Sequence, residues 1–342
     1  MAGRAALLRN PLAVLLPLLQ EYLSSQQAPT WDWARWQGLA REEGLLGLLS
    51  TRCLAPEARD FAKSEFTRQS NYLYELTKID TELAAAGLQA VLLKGYALLD
   101  HYQEQVLVRG VRDIDLLVRP GQKRLVQEAL RLDAALDRWL PGGHRLNLDL
   151  TEDLVGAGRI RARARVYRFA ETQVWQRSLA WNSTSQSLRK LDPVYNFLHL
   201  SIHALKHGYS RLIWLLDLAL VLPTLNPDEV RQAADETGTL RPAALAAELV
   251  WRTSGHDSPL RSGLNRWELA SVGHMLERRF PAEAGELLCL FSAPTWRARL
   301  ALLGEFVLLR PEVVRAQYGG TLLQAYRARI RHILQLLWQR LP

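Results

Sequence analysis

Apolar residues recur every three or four positions over roughly the first eighty residues and again from about Val174 onward, while the stretch between bunches them into short runs. Leu8, Leu12, Leu15, Leu16 and Leu19 share one helical face, so Pro11 to Leu23 reads as an amphipathic helix. Further helices are predicted over Trp31 to Glu43, with Thr30 as N-cap, and over Gly44 to Leu54. A long helix is predicted from Pro56, which suits a first helical position, to about Gly87, which suits a terminus.

The period then changes. Leu88 to Leu93 is an apolar run fit for a fully buried strand, Tyr96 to Gln103 reads as a helix, and Gln105 to Arg112 as a loop. Asp113 to Val118 is a second strand, and Pro120-Gly121 breaks the chain before an amphipathic helix over Gln122 to Leu136. After a turn at Pro141-Gly142-Gly143, His144 to Leu150 and Arg159 to Phe169 alternate as strands. Beyond about Val174 everything reads helical, with breaks near Asn182 to Ser187, Pro223 to Pro227 and Gly255 to Gly263, and at Pro281, Pro294, Pro311 and Gly319-Gly320. The expected fold class is α+β: a small mixed-sheet core at residues 81–172, embedded between a helical segment at 1–80 and a helical region at 173–342.

Composition narrows this picture little. With 342 residues, 48% hydrophobic and 23% charged, the chain suits a globular protein with a sizeable core. Cys53 and Cys289 are its only cysteines, which excludes a disulfide framework and a multi-cysteine zinc site; two packed core thiols in a reducing cytoplasm are expected. Arg4 and Arg9 precede a short apolar run, PLAVLLPLL, but Gln20-Glu21 follow at once with no clear cleavage site, so a helix is favoured over a signal peptide. No run of about 20 apolar residues predicts a transmembrane segment. The net charge of +8, carried almost wholly by arginine, favours anionic partners without choosing among them.

The segment VLLKGYALLDHYQEQVLVRGVRDIDLLV, Val91 to Val118, carries the chemistry. Asp113 and Asp115 stand at i and i+2 of a strand and therefore share a face. Two carboxylates together among apolar residues are costly unless a positive group sits between them, and a divalent metal such as Mg²⁺ is the natural candidate; a salt bridge to Arg112 is the plainer account. Lys94-Gly95 stands where a strand turns into a helix, a place that suits phosphate, with Gly95 allowing close approach and an unusual φ. The plainer account there is a solvent-facing lysine beside a turn glycine.

This Gly followed by Asp-apolar-Asp resembles the DNA polymerase β-like nucleotidyltransferase superfamily, and LLKG…R…DIDLLV resembles more narrowly the bacterial group called uncharacterised nucleotidyltransferases. WDWARWQGLAREEGLLGLL, Trp31 to Leu49, resembles that group's opening helical segment; ETQVWQRSL and Leu191 to Leu222 resemble its later helical part. The resemblance spans about the first two thirds of the chain. It implies a nucleotidyltransferase-like core in which Asp113 and Asp115 bind Mg²⁺ (or Mn²⁺) bridging the phosphates of a nucleoside triphosphate, the substrate. Lys94, Gly95, Arg109 and Arg112 would contact phosphate. A nucleoside monophosphate would pass to a small-molecule, sugar or peptide-type acceptor of a biosynthetic pathway, with release of pyrophosphate. A third carboxylate is expected on the following strand, where Asn147 and Asp149 share a face. Asp149 would be the third catalytic carboxylate; Asn147 at that position would remove the usual base. Tyr96 departs from the Ser or Gly usual after the motif glycine.

Arg159, Arg161, Arg163 and Arg165 would line one strand face, as a wall for an acidic acceptor or as a solvated surface. His199, His203 and His207 stack on one helix face with Asp217 beyond; this set would hold zinc or, more often, pack, and His203, His207 and Asp217 are pocket candidates. Trp175, Trp181 and Trp214 are core candidates, one of them available to stack on a base. Two other functions fit the chain: a non-catalytic nucleotide- or partner-binding protein with a degraded third carboxylate, and an RNA-modifying nucleotidyltransferase. Scattered basic residues without an aromatic-basic recognition motif argue against a nucleic-acid partner.

Overall fold

The computed structural model describes residues 17, 32–51, 53–102, 109–133, 138–139, 147–276, 284–293 and 295–338. Helices α1 (Trp33–Glu42) and α2 (Leu46–Ser50) open it, and the 30-residue α3 (Pro56–Ala85) follows with Pro56 in its first turn, as predicted. Asp32 caps α1, its carboxylate accepting from Arg35 N–H at 3.1 Å; the helix therefore starts later than a Thr30 cap requires. The helix predicted over Pro11 to Leu23 lies outside the described residues but for Pro17.

Strand β1 (Ala90–Leu93) enters a 3-10 turn at Gly95–Leu98 and the short α4 (Leu99–Tyr102). Then come β2 (Ile114–Leu117), α5 (Lys123–Ala129), a small β3 (Leu132–Asp133) and β4 (Arg138–Trp139) pair, and β5 (Leu148–Thr151). The helix predicted over Gln122 to Leu136 is thus cut short, at Arg131, which takes a positive φ of 53°. The turn at Pro141-Gly142-Gly143 and the first half of the strand predicted from His144 lie outside the described residues.

The alternating arginine stretch is no strand. Residues 156–162 form turns and Arg163–Val166 is a helical turn, α6. Ile160, Ala162, Arg163, Val166 and Tyr167 are buried, a spacing closer to three and four than to two. Alanines alternating with arginines have weak strand preference, and the contacts of the buried positions decide. Only Arg163 of the four arginines is buried; Arg159, Arg161 and Arg165 are exposed, so no four-guanidinium wall exists.

After α7 (Glu171–Arg177) the sequence reads helical, yet a hairpin follows: β6 (Leu179–Ala180) and β7 (Leu188–Lys190). These strands were invisible to periodicity because they are only two and three residues long. They are fixed from outside. Asp80 of α3 is buried and accepts the N–H groups of Gln186, Ser187 and Leu188 at 2.9, 2.7 and 2.5 Å.

The five-stranded mixed sheet runs β5-β2-β1-β7-β6, with β1 antiparallel to β2 and β2 parallel to β5. Ala90, Leu92, Ile114, Leu116, Leu148 and Leu150 turn to one face and pack with Leu76, Ile79 and Leu83 of α3. Val91, Leu93 and Leu117 belong to the other face and join the helical core. That core centres on α8 (Pro193–Lys206), buried along nearly its whole length, and α9 (Leu212–Val221). Around them lie α10 (Pro227–Thr237), α11 (Leu240–Ser254), α12 (Arg266–Leu276), α13 (Ala284–Ser292), α14 (Trp296–Val307), α15 (Pro311–Tyr318) and α16 (Leu322–Trp338). Cys53 and Cys289 are buried and are not joined in a disulfide. Among the described residues no helix is long and apolar enough to cross a membrane.

Candidate active site

By strand alternation Asp113 and Asp115 share the face of Leu117, so they look toward the helical region rather than toward α3. A cleft of about 170 Å³ lies there, lined on the sheet side by Lys94, Gly95 and residues 109–113 with Asp115, and on the helical side by Leu200, His203, Arg211, Trp214 and Asp217.

Asp115 is 7% exposed, and Asp113 is exposed. Burial pushes the Asp115 carboxyl above the usual carboxylate range; Lys94 opposes this, and Asp113 and Asp149 push it further up. Lys94 Nζ donates to Asp115 Oδ1 at 2.5 Å. The sequence-predicted lysine therefore meets the carboxylates directly.

The local backbone explains this approach. Lys94 itself takes the unusual conformation, φ 52° and ψ −137°, while Gly95 has no positive φ. Gly95 serves close approach instead: a Cβ there would stand 2.8 and 2.9 Å from the Val111 methyls. Behind it, buried Gln69 of α3 donates to Val111 O at 2.9 Å and accepts the Tyr96 hydroxyl, and Trp181 Nε1 donates to Tyr96 O at 3.3 Å. Tyr96, the departure from the superfamily motif, is thus a core residue that pins the turn.

Register sets Asp149, and not Asn147, beside Asp115. Asp149 of β5 pairs with Asp115 of β2 across a parallel ladder, so the two side chains leave the same face side by side. Asn147 stands two residues earlier, exposed, with its carbonyl accepting Ile114 N–H at 2.8 Å. Asp149 is exposed and outside the cleft lining. Among the described residues no cluster of three or more His, Cys, Asp or Glu converges as a ready-made metal site.

Arg109 does not meet Asp113 or Asp115. It is buried, and its Nε donates to Asp217 Oδ1 at 2.9 Å while its Nη2 pairs with Oδ2. Tyr102 donates to the same Oδ1 at 2.5 Å. Asp217 therefore neutralises Arg109 and joins no histidine. Arg112 lines the cleft, exposed.

The three histidines pack. His199 Nδ1 lies 3.0 Å from Leu154 O, and His203 meets Trp214 edge-on at 5.2 Å, with His207 5.3 Å from the same indole. Burial, helped by Lys94 and Lys206, holds His199 down at about 3 and His203 well below the ordinary histidine range; burial with Lys206 holds His207 at about 4. They are neutral at physiological pH, and only His203 lines the cleft. Trp175 and Trp181 fill cores as expected, and half-buried Trp214 lines the cleft.

Sequence reasoning missed Arg211 and Gly44, both in the cleft wall. Neither carries a motif signal; they meet only because the corner between α1 and α2 packs on the loop before α9.

The profile of the uncharacterised nucleotidyltransferase family matches residues 29–254, which take in the whole five-stranded sheet, the cleft, α8 and α9. The chain belongs to this family. No curated protein and no solved structure matches it. In this nucleotidyltransferase family member the mostly helical chain with a five-stranded mixed sheet is the α+β arrangement expected, and membership supports nucleotidyl transfer as the reaction class, with a nucleotide as substrate.

Proposed function

We propose that the protein is an Mg²⁺-dependent nucleotidyltransferase that moves a nucleoside monophosphate from a nucleoside triphosphate to a small-molecule, sugar or peptide-type acceptor and releases pyrophosphate. The observation that carries this reading is the pairing of Asp113 and Asp115 on one cleft-facing strand face, with Asp149 in register beside Asp115. The donor set fits a hard divalent cation: carboxylate oxygens gathered around one buried group whose proton affinity is already raised by its neighbours. Asp113 and Asp115 would hold Mg²⁺ or Mn²⁺, which when bound neutralises phosphate charge and fixes the position of the triphosphate.

The protein's own groups then have distinct parts. Lys94, freed from Asp115, follows the phosphates as a mobile point charge. The acceptor oxygen attacks the α-phosphorus, the bond from that phosphorus to the bridging oxygen breaks, and pyrophosphate leaves with the electron pair. Asp149, exposed beside Asp115, would take the acceptor's proton.

One observation favours a second reading, a nucleotide- or partner-binding protein without turnover: the Lys94 ammonium already sits on Asp115 where a cation would bind. Titration of the four nucleoside triphosphates with and without Mg²⁺, following both binding and pyrophosphate release, separates the two. Mg²⁺-dependent binding and pyrophosphate release lost in Asp115→Asn support catalysis. Binding that ignores Mg²⁺ and gives no pyrophosphate refutes it.

A further inference from the structure

The charges that line the cleft do not cancel. Lys94, Arg109, Arg112 and Arg211 face Asp113, Asp115 and Asp217. Lys94 is taken by Asp115 and Arg109 by Asp217. Arg112 and Arg211 form no salt bridge among the described residues, although the Glu43 and Asp113 carboxylates both act on Arg211.

Arg211 is the less exposed of the two arginines and is held from behind. Its Nε donates to Glu42 O at 3.1 Å, and this is its one hydrogen bond among the described residues. The flanking backbone is tied to the same corner: Leu212 N–H donates to Glu43 Oε2 at 2.8 Å and Ile213 N–H to Glu43 O at 3.1 Å. Gly44 completes the fit. Its φ is +78°, and a Cβ there would stand 2.9 Å from Arg211 Nη2 and 2.8 Å from Ile213 Cγ2. A planar guanidinium anchored through Nε keeps its outer nitrogens for another acceptor. Burial, and then the nearby Arg112 charge, hold the Arg211 guanidinium below its ordinary pKa, against the pull of Glu43 and Asp113. His203 Nδ1 is a buried atom with no hydrogen-bond partner in the same cleft wall, a second polar group left unsatisfied there.

We infer that Arg211 and Arg112 form a clamp for the triphosphate of the nucleotide, with the Glu42–Gly44 corner of the N-terminal helices holding Arg211 in place. The nucleotidyltransferase reading supplies only the identity of the anion; two cleft guanidiniums without a salt bridge stand without it. Arg109, matched to Asp217, is the frame of the cleft and not its phosphate contact.

The test is calorimetric titration of the full chain in Mg²⁺ with ATP, GTP, CTP, UTP and inorganic tripolyphosphate, and with the monophosphate of whichever nucleoside binds. Wild type is compared with Arg211→Gln, Arg211→Lys and Arg112→Gln, and pyrophosphate release is followed in parallel. Loss of a charge-assisted contact raises the Kd for triphosphate and tripolyphosphate about tenfold or more in each Gln variant. Monophosphate binding stays within about twofold and the Lys variant recovers part of the loss, because its charge remains without the fork. Arg112 is exposed, so its variant keeps the test independent of folding. Unchanged triphosphate affinity in both Gln variants, or equal loss for mono- and triphosphate, overturns the clamp. If wild type then still releases pyrophosphate, the nucleotidyltransferase reading survives that failure. Arg211-dependent triphosphate binding that is indifferent to Mg²⁺ and to Asp115→Asn keeps the clamp and sinks the Mg²⁺-dependent enzyme; no binding of any probe sinks both.

Discussion

Replacing Asp217 tests whether the Arg109 pair is a frame or a ligand site. Asp217 is 1% exposed and accepts three hydrogen bonds, two from Arg109 and one from Tyr102. Asp217→Ala leaves a buried guanidinium uncompensated, which costs about 3–5 kcal/mol. It also orphans the Tyr102 hydroxyl, worth about 1–3 kcal/mol. The two terms are not additive, because water that reaches the vacated space serves both groups. A loss near 4 kcal/mol is a large part of a typical total of about 5–15 kcal/mol. Asp217→Asn keeps a partner for Tyr102 and loses less. The double change Arg109→Met/Asp217→Leu removes both charges and stays within about 2 kcal/mol of wild type. Urea unfolding of Asp217→Ala and Asp217→Asn measures the two losses, and unfolding of the double variant beside its singles Arg109→Met and Asp217→Leu completes a double-mutant cycle that measures the coupling. A loss below about 1 kcal/mol for Asp217→Ala, or a double variant as unstable as the sum of the single ones, would refute the reasoning. A double variant that folds but no longer binds triphosphate would return Arg109 to the phosphate contacts.

Three further outcomes follow from the same geometry. Asp115→Asn abolishes pyrophosphate release; and because burial raises the Asp115 pKa, the stability it contributes is present below the ordinary carboxylate pKa and lost as pH rises through the raised one, so the Asn variant melts no lower than wild type at pH 7. Gly95→Ala drives a Cβ to 2.8 Å from a buried Val111 methyl and displaces the Lys94 turn, so activity falls about tenfold or more and stability drops by about 1–3 kcal/mol; unaltered activity counts against the turn's role. His199 and His207, held at about 3 and about 4, are neutral in the fold but titrate near 6.5 once unfolded. Stability is therefore full above about pH 6.5 and falls as pH drops toward those values, a slope that His207→Gln reduces and that urea unfolding from pH 7 to 4 would reveal.

The parts of the fold legible in the sequence are those set by local pattern. Pro56 and Gly87 bound α3, the apolar run gives β1, and the acidic alternation of Asp113 and Asp115 on β2 gives the face on which the site is built. What escaped is decided by partners far along the chain. The β6–β7 hairpin exists because Asp80, over a hundred residues earlier, takes its backbone N–H groups. The arginine stretch alternates like a strand, but Ile160, Ala162 and Val166 find their contacts in the helical core and the backbone turns to reach them. Arg109 was readable as a cleft residue but not as one whose charge is already paired, since its partner Asp217 lies 108 residues away.

The same long-range pairing says why a small sheet carries so much helix. Asp113, Asp115, Lys94, Arg109 and Arg112 come to the cleft from the sheet side, and the groups that fix or oppose them come from elsewhere in the chain. Asp217 of α9 fixes Arg109 against the sheet, Arg211 enters from the loop before α9, and the α1–α2 corner supplies the carbonyl and the glycine that let Arg211 stand there. Remove the N-terminal corner and the sheet with its carboxylates can still form, but Arg211 loses its anchor. Remove α9 and Arg109 becomes a buried charge without a partner. The helical region thus supplies Arg211 and the carboxylate that fixes Arg109, and variation in its loops would change what binds without touching the segment that holds Asp113 and Asp115.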